Sequence, residues 1–247
     1  MSNFSSLSEV AVEVKNLRKD YGGFTALRNI SFSVKSGEVY GLVGPNGAGK
    51  TTTLRIIATL IRPTAGEVSI HGLNVVKDDE KVRKLIAYLP EEAGSYKHLT
   101  GREYLRLIAS VYGYGEEVVN EAVEISGLGR DIDKYTGTYS KGMKRRLQVA
   151  RALMVKPRVA ILDEPTSGLD VIHAVYIRKV IKEYSRRFGI TFIVSSHNML
   201  EVEYLCDRIA LIDRGLIVTE GRVKELLDKH SVENLEELFT RLVGPHA

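Results

Sequence analysis

Hydrophobic and polar residues alternate along the N-terminal part of the chain. In segments 10–15 and 30–35, valine, isoleucine or phenylalanine occupies every second position, and most of the residues between them are polar. This period of two is typical of half-buried strands that pair antiparallel and keep one face in water. Segments 159–162 and 191–194 are almost continuously apolar, which indicates parallel strands covered on both faces.

The pattern becomes helical between residues 92 and 156. Leu105, Ile108 and Tyr112 form one apolar stripe, and residues 118–125 carry a second one. The chain is therefore predicted to have an α/β fold with a mostly parallel sheet, an N-terminal antiparallel β part and an inserted α-helical subdomain. The predicted divisions are a core formed by 1–91 and 157–221, the helical subdomain 92–156, and a C-terminal helical tail 222–247.

Composition excludes several classes of protein. The 247 residues carry a net charge of +4, and no basic run interleaved with aromatic residues predicts a nucleic-acid partner. The single cysteine, Cys206, lies among apolar residues and is interpreted as part of the core. Residues 1–9 lack the basic start and apolar run of a signal peptide, and no segment is apolar enough to predict a membrane span.

A glycine-rich segment indicates a phosphate site. Residues 44–51 match the pattern G-x-x-x-x-G-K-[ST]. They follow an apolar segment, 39–43, that is predicted to be a strand, and precede a predicted helix over 52–61. Such a loop brings backbone N–H groups onto phosphate at the positive end of a helix dipole. The predicted nucleotide contacts of this loop are Gly44, Pro45, Asn46, Gly47, Ala48, Gly49, Lys50, Thr51 and Thr52.

Two acidic residues follow the apolar segment 159–162. Asp163 at the carboxyl end of a strand is expected beside the phosphate loop, where α/β sheets bind ligands. There it would hold Mg²⁺ together with the Thr51 hydroxyl. Glu164 would point toward the position from which water attacks the terminal phosphate. An ordinary acidic turn is the alternative interpretation, and the phosphate loop in the same chain weighs against it.

With these motifs, segment 139–146 makes the chain resemble the nucleotide-binding subunits of ATP-binding-cassette (ABC) transporters over nearly its whole length. Tyr-Ser-Lys-Gly-Met-Lys-Arg-Arg lies where that family carries its L-S-G-G-Q signature. The resemblance implies a phosphate-loop ATPase core that uses ATP and Mg²⁺. It also implies two chains facing head to tail, with Ser140 and Gly142 of each contacting the partner's ATP.

Other matches follow in the family's order. Tyr21 takes the place of the aromatic residue that stacks on adenine, and 167–170 matches the loop that contacts the opposite subunit. His197 matches the histidine that reaches the γ-phosphate. Glu164, His197 and Lys50 are thereby predicted to be catalytic. Four histidines match nothing and are assigned to the surface or core: His71, His98, His173 and His230.

The chain departs from the family pattern at two places. Glu91 stands where the family usually has a glutamine, and it is predicted to bind Mg²⁺ and to couple the site to the helical subdomain. Lys141 and Met143 replace a glycine and a glutamine of the signature. Both variants resemble subunits that serve separate ABC-2-type exporter permeases, which contact them after Glu91; Tyr96, Leu99 and Tyr104 are the candidate contacts.

The resemblance implies specific partners and a location. These are a membrane permease on a separate chain and a second copy or a related subunit, with the protein peripheral on the cytoplasmic face of the cell membrane. A soluble ABC ATPase of translation or DNA repair is the alternative, although the chain lacks a second cassette or a coiled-coil insertion. A kinase or GTPase would lack the signature, and a binding-only regulator would have lost Lys50, Asp163 or Glu164.

Overall fold

The computed structural model describes residues 10–244; residues 1–9, for which no signal peptide is predicted, lie outside this range. The strands are β1 (Val10–Tyr21), β2 (Phe24–Lys35), β3 (Val39–Val43), β4 (Ala65–Ile70), β5 (Leu73–Asn74), β6 (Ile86–Leu89), β7 (Val159–Asp163), β8 (Thr191–Ser196), β9 (Arg208–Asp213) and β10 (Leu216–Arg222). The helices are α1 (Lys50–Ile57), α2 (Asp79–Arg83), α3 (Gly101–Val111), α4 (Glu116–Ser126), α5 (Lys141–Leu153), α6 (Val171–Phe188), α7 (Met199–Leu205), α8 (Val223–His230) and α9 (Leu235–Val243).

The N-terminal part forms an antiparallel sheet in the order β2-β1-β4-β5. Its strands β1 and β2 pair as a hairpin in which Tyr21 lies opposite Phe24. The alternation predicted for β1 is broken at one point, since Ala11 and Val12 are both buried. The register shifts between Val10 and Val12, and such an irregularity interrupts the alternation of side chains between the two faces.

The second sheet has the order β10-β9-β3-β8-β7-β6. Strands β9, β3, β8, β7 and β6 run parallel, and β10 pairs antiparallel with β9. All residues of β3, β7 and β8 are buried, as their continuous apolar runs predict. The predicted fold class is confirmed, and the carboxyl ends of β3, β7 and β8 meet at one edge of this sheet.

Helix α1 is shorter than the sequence predicts. It ends at Ile57, so Leu54 and Ile57 are buried on the helix while Ile61 lies beyond it. Thr59 has a left-handed backbone (φ 62°), which ends helical hydrogen bonding. Pro63 comes shortly afterwards and cannot extend a helix.

Helices α3, α4 and α5, with short 3₁₀ helices at Gly129–Asp133 and Thr136–Thr138, pack around a separate apolar cluster. Thr100 and Glu103 form a capping box that fixes the start of α3. Tyr104, expected to contact a partner, is only 4% exposed and belongs to this cluster. That expectation is wrong for the surface as it stands, because the ring is needed to cover the subdomain's own core. Tyr96 is 61% exposed.

The C-terminal tail forms two helices where a single helical stretch is predicted over 223–242. Ser231 adopts a left-handed backbone (φ 51°) and ends α8. Asn234 then starts α9, because its side chain accepts a hydrogen bond from the Glu237 N–H. Among residues 10–244, no helix combines the length and apolar character needed to cross a membrane.

Candidate active site

The phosphate loop connects β3 to α1, and its backbone leaves no room for side chains at two glycines. A Cβ at Gly44 would lie 2.0 Å from the carbonyl oxygen of Ile212 on β9. Gly49 has φ +109°, and a Cβ there would lie 2.7 Å from Leu27. Both positions therefore require glycine if the loop is to lie against the neighbouring strands.

Lys50 is buried at the start of α1, and its ammonium group is surrounded by oxygen atoms. The Nζ atom donates to the carbonyl oxygens of Gly44 (2.6 Å) and Pro45 (3.1 Å) and lies 3.5 Å from Glu164 Oε1. An ammonium in this position neutralises the carboxylate and has two loop carbonyls that it can exchange for phosphate oxygens. The lysine is thus held beside the space enclosed by the loop.

Asp163 lies at the carboxyl end of β7 and shares one oxygen with two hydroxyl groups. Ser195 Oγ donates to Asp163 Oδ1 at 2.6 Å, and Thr51 Oγ1 donates to the same atom at 3.2 Å. Carboxylate and hydroxyl oxygens this close are suited to a hard cation such as Mg²⁺, which also keeps water in its coordination shell. The donor set therefore fits the predicted Mg²⁺ site.

Glu164 has a left-handed backbone with φ 47°. Its N–H donates to Ser195 Oγ at 2.9 Å, and its Oε2 lies 2.9 Å from His197 Nδ1. A non-glycine residue in this conformation is strained, and such strain concentrates at functional sites where surrounding contacts fix it. Here the bond to Ser195 holds the strained peptide, so that the carboxylate faces both Lys50 and His197.

One cleft brings most of the predicted nucleotide residues together. Its walls are formed by Tyr21, Phe24, Ala26, Pro45, Asn46, Gly47, Gly49, Lys50, Thr51, Thr52, Glu91 and Glu164. The Tyr21 ring is 47% exposed at the mouth of the cleft, with Lys19 Nζ 4.9 Å from its centroid. Ala48, in contrast, is buried beneath the loop, where its carbonyl accepts from the Gly215 N–H. The predicted contact at Ala48 is therefore limited to its backbone.

Ser140 and Gly142 lie outside this cleft, at the start of α5. Ser140 Oγ accepts from the Met143 N–H at 3.2 Å and caps the helix. Gly142 lies directly against His173 on α6, since a Cβ there would be 2.1 Å from His173 Cδ2. His173 thus packs against the signature segment, although the sequence left it unassigned. Within one chain these two residues are separate from the phosphate loop, as the sandwich arrangement requires.

Arg145 is a functional residue that the sequence did not single out. Its side chain is buried, and it points from α5 into the junction of the two parts of the fold. Burial lowers the pKa of the guanidinium to about 10, so it stays protonated at neutral pH. It donates hydrogen bonds to the backbone carbonyl oxygens of Pro90, Glu91, Asp163, Glu164 and Pro165.

Comparison with known proteins assigns the family. A sequence profile described as ABC transporter matches residues 27–167. The protein named uncharacterized ABC transporter ATP-binding protein YhcH, from Bacillus subtilis (strain 168), is 40% identical over 230 residues, which cover 93% of this chain and 73% of the relative. The chain belongs to the ABC transporter family.

Further comparisons place this ABC protein among ATP-binding subunits. The bacitracin transport ATP-binding protein BcrA of Bacillus licheniformis is 39% identical over 210 residues, covering 85% of this chain and 69% of BcrA. A solved ATP-binding subunit of an ABC transporter superposes with a TM-score of 0.85 at 30% identity, covering 94% of this chain and 99% of that one.

A dimeric cassette in a post-hydrolysis state, bound to ADP and phosphate, superposes with a TM-score of 0.77 at 29% identity, covering 85% of this chain and 98% of that one. This ABC protein is therefore an ATP-binding subunit and an ATPase of the transporter family. That result confirms the transporter prediction over the alternative of a soluble ATPase in translation or DNA repair.

Proposed function

We propose that this ABC protein hydrolyses MgATP in a head-to-tail dimer and that hydrolysis drives export through a separate membrane permease. The observation that carries the hydrolytic part is the contact of Glu164 with Lys50 and His197 at the phosphate loop. The transport part is supported by relatives named for bacitracin transport and doxorubicin resistance.

Binding of the triphosphate rests on the loop and its lysine. Backbone N–H groups of the loop and Lys50 neutralise the phosphates, and Tyr21 stacks on the base at the mouth of the cleft. Thr51, Asp163 and Glu91 are the residues that would hold Mg²⁺, whose role when bound is to offset the charge of the β- and γ-phosphate oxygens. Glu91 supports this role because it lines the same cleft.

Glu164 acts on the attacking water. Its Oε2 accepts a proton, or orients the water by accepting a hydrogen bond, while His197 donates to the γ-phosphate or to Glu164 itself. The ion pair with Lys50 favours the ionised carboxylate, which is the form that a base or water-orienting group requires. Glu164, His197 and Lys50 together are the proposed catalytic group.

The second half of each site comes from the partner cassette, which is a second copy or a related subunit. Ser140 and the backbone at Gly142 lie at the N-terminus of α5, and the positive end of this helix would face the partner's γ-phosphate. Loss of that phosphate removes the group that both chains share, so the dimer opens. The cycle of closure and opening is what moves the permease.

The permease places the protein on the cytoplasmic face of the membrane as a peripheral subunit. The surface after Glu91, with exposed Tyr96 and half-buried Leu99, is the proposed contact. Tagging the full chain, solubilising native membranes in mild detergent and identifying stoichiometric partners by mass spectrometry tests this. Recovery of a polytopic membrane protein is expected, and exclusively soluble partners would count against the export proposal.

The variant Glu164→Gln tests the hydrolytic part. It keeps the size of the side chain but removes the base, so we expect ATP binding to be retained and turnover to fall by roughly 10²–10⁴-fold. Under saturating MgATP the variant should accumulate as a dimer in light scattering. The matched control is Glu203→Gln, at an exposed position on α7, which should hydrolyse ATP as the wild type does. A Glu164→Gln protein that remains monomeric would contradict the sandwich.

A further inference from the structure

Glu201 is a buried acid that the mechanism above does not use. It lies in the first turn of α7 and is only 2% exposed. Its Oε1 accepts a hydrogen bond from Thr166 Oγ1, and its Oε2 accepts one from Ser196 Oγ at 3.0 Å. Burial of a carboxylate is costly unless its oxygens are hydrogen-bonded, and both oxygens are satisfied here by hydroxyls from two other segments of the chain.

The first segment carries His197. Ser196, directly before it, donates to the Glu201 carboxylate, and Asn198, directly after it, accepts from the Glu201 N–H at 3.1 Å. The Asn198 N–H in turn donates to Ser196 Oγ at 3.1 Å. His197 therefore lies in a loop whose two sides are both fixed at Glu201, while its imidazole stays half exposed toward Glu164.

The second segment carries Glu164. Thr166 lies two residues further along and is buried, with its hydroxyl bonded to the other oxygen of Glu201. One carboxylate thus binds both segments whose side chains meet at the 2.9 Å contact between Glu164 Oε2 and His197 Nδ1. Without Glu201, no side chain that bonds to Thr166 would also bond to Ser196 among the described residues.

We infer that Glu201 is a positioning residue for hydrolysis, holding Glu164 and His197 at their contact distance through Thr166 and Ser196. The inference rests on the proposed function of that pair. The nucleotide-binding residues have separate supports, since Lys50 is held by loop carbonyls and Thr51 by Asp163. Loss of Glu201 should therefore lower the rate of hydrolysis and leave ATP affinity unchanged.

The first test compares Glu201→Gln with the exposed control Glu203→Gln in the full-length chain, using ATP turnover and a fluorescent ATP analogue for binding. Glutamine keeps one acceptor and loses the other, so one of the two segments is released. Because a misplacement of about 1 Å can cost ~10²-fold in rate, we expect kcat to fall by about 10-fold or more. The Kd for nucleotide should stay within about twofold, as is usual when an interaction acts only on the chemical step.

A double-mutant cycle with His197→Ala separates positioning from a general loss of stability. If Glu201 acts through His197, Glu201→Gln must reduce kcat less in the His197→Ala background than in the wild type, because coupled residues are not additive. Should Glu201→Gln not fold, Thr166→Val and Ser196→Ala each remove one hydroxyl from the other end and should lower kcat in the same way.

The outcomes distinguish this inference from the proposed function. A wild-type chain with no ATPase activity would refute both. An active wild type with unchanged kcat in Glu201→Gln, with fully additive losses in the cycle, or with weakened ATP binding in proportion to kcat would refute the positioning role alone.

Discussion

Replacement of Arg145 by lysine should destabilise the protein far more than its chemical similarity suggests. The guanidinium binds five carbonyl oxygens, two from Pro90 and Glu91 and three from residues 163–165. A lysine has three donors on one nitrogen and cannot reproduce the planar fork. At least two buried carbonyls therefore lose this donor.

The expected loss can be worked out from these bonds. Each buried carbonyl left without a partner costs about 1–3 kcal/mol. The Glu164 carbonyl keeps a second donor, the Ser167 N–H at 3.2 Å, so the lower part of the range applies, and we expect a loss of about 2–3 kcal/mol for two carbonyls. Since 1 kcal/mol shifts the Tm of a protein of this size by about 2–4 °C, Arg145→Lys should lower the Tm by roughly 5–10 °C.

Differential scanning calorimetry of the nucleotide-free protein measures this shift. The matched control is Arg106→Lys on the surface of the helical subdomain, where Arg106 pairs with Glu116 through two hydrogen bonds and both side chains are 50% exposed. Exposed pairs contribute about 0–1 kcal/mol, so the control should change little. Equal shifts for the two variants, or a Tm for Arg145→Lys within error of the wild type, would refute the reasoning.

Three further perturbations have defined outcomes. Gly142→Ala places a methyl group against the His173 ring and should cost about 1–3 kcal/mol in chemical denaturation, and adding His173→Ala should restore much of this loss. Glu91→Gln removes a charge from the cleft, so ATP binding in EDTA should strengthen several-fold, with little change in Mg²⁺, by calorimetric titration. Burial raises the pKa of Glu201 above its ordinary 4.5, so its contribution to stability is present below pH 4.5 and is lost as the pH rises through the raised pKa. The Tm of Glu201→Gln relative to wild type should therefore rise from pH 4.5 toward neutrality, and a flat difference would contradict this.

The parts of the fold that the sequence predicts are those set by short-range patterns. The strand at 39–43, the loop and the start of α1 follow from one apolar run, a few glycines and the residues that cannot be larger. Strands β7 and β8 follow from apolar runs that suit a doubly covered sheet. Local chemistry decides these elements, so a single sequence suffices to locate them.

Element ends and long-range contacts were not predictable in the same way. The end of α1 depends on the left-handed backbone of Thr59, and strands β9 and β10 show no pattern that separates them from other apolar stretches. Arg145 is one of three consecutive basic residues, yet only it reaches carbonyls up to 55 residues away. Glu201 lies 35 residues from Thr166. Nothing in the local sequence distinguishes these buried charged residues from their exposed neighbours.

The two buried charged residues act on the same short segment from opposite sides. Arg145 binds the carbonyls of residues 163–165, and Glu201 binds the hydroxyl of Thr166. Arg145 is also five positions after Ser140 on the rigid helix α5, so a displacement of the helix start that faces the partner cassette is carried directly to the peptide of Glu164. The strained backbone of Glu164 leaves it little freedom to absorb such a displacement. Closure of the dimer at Ser140 and placement of the hydrolytic carboxylate are for this reason one mechanical event, and a change that loosens Arg145 should weaken their coupling before it weakens ATP binding.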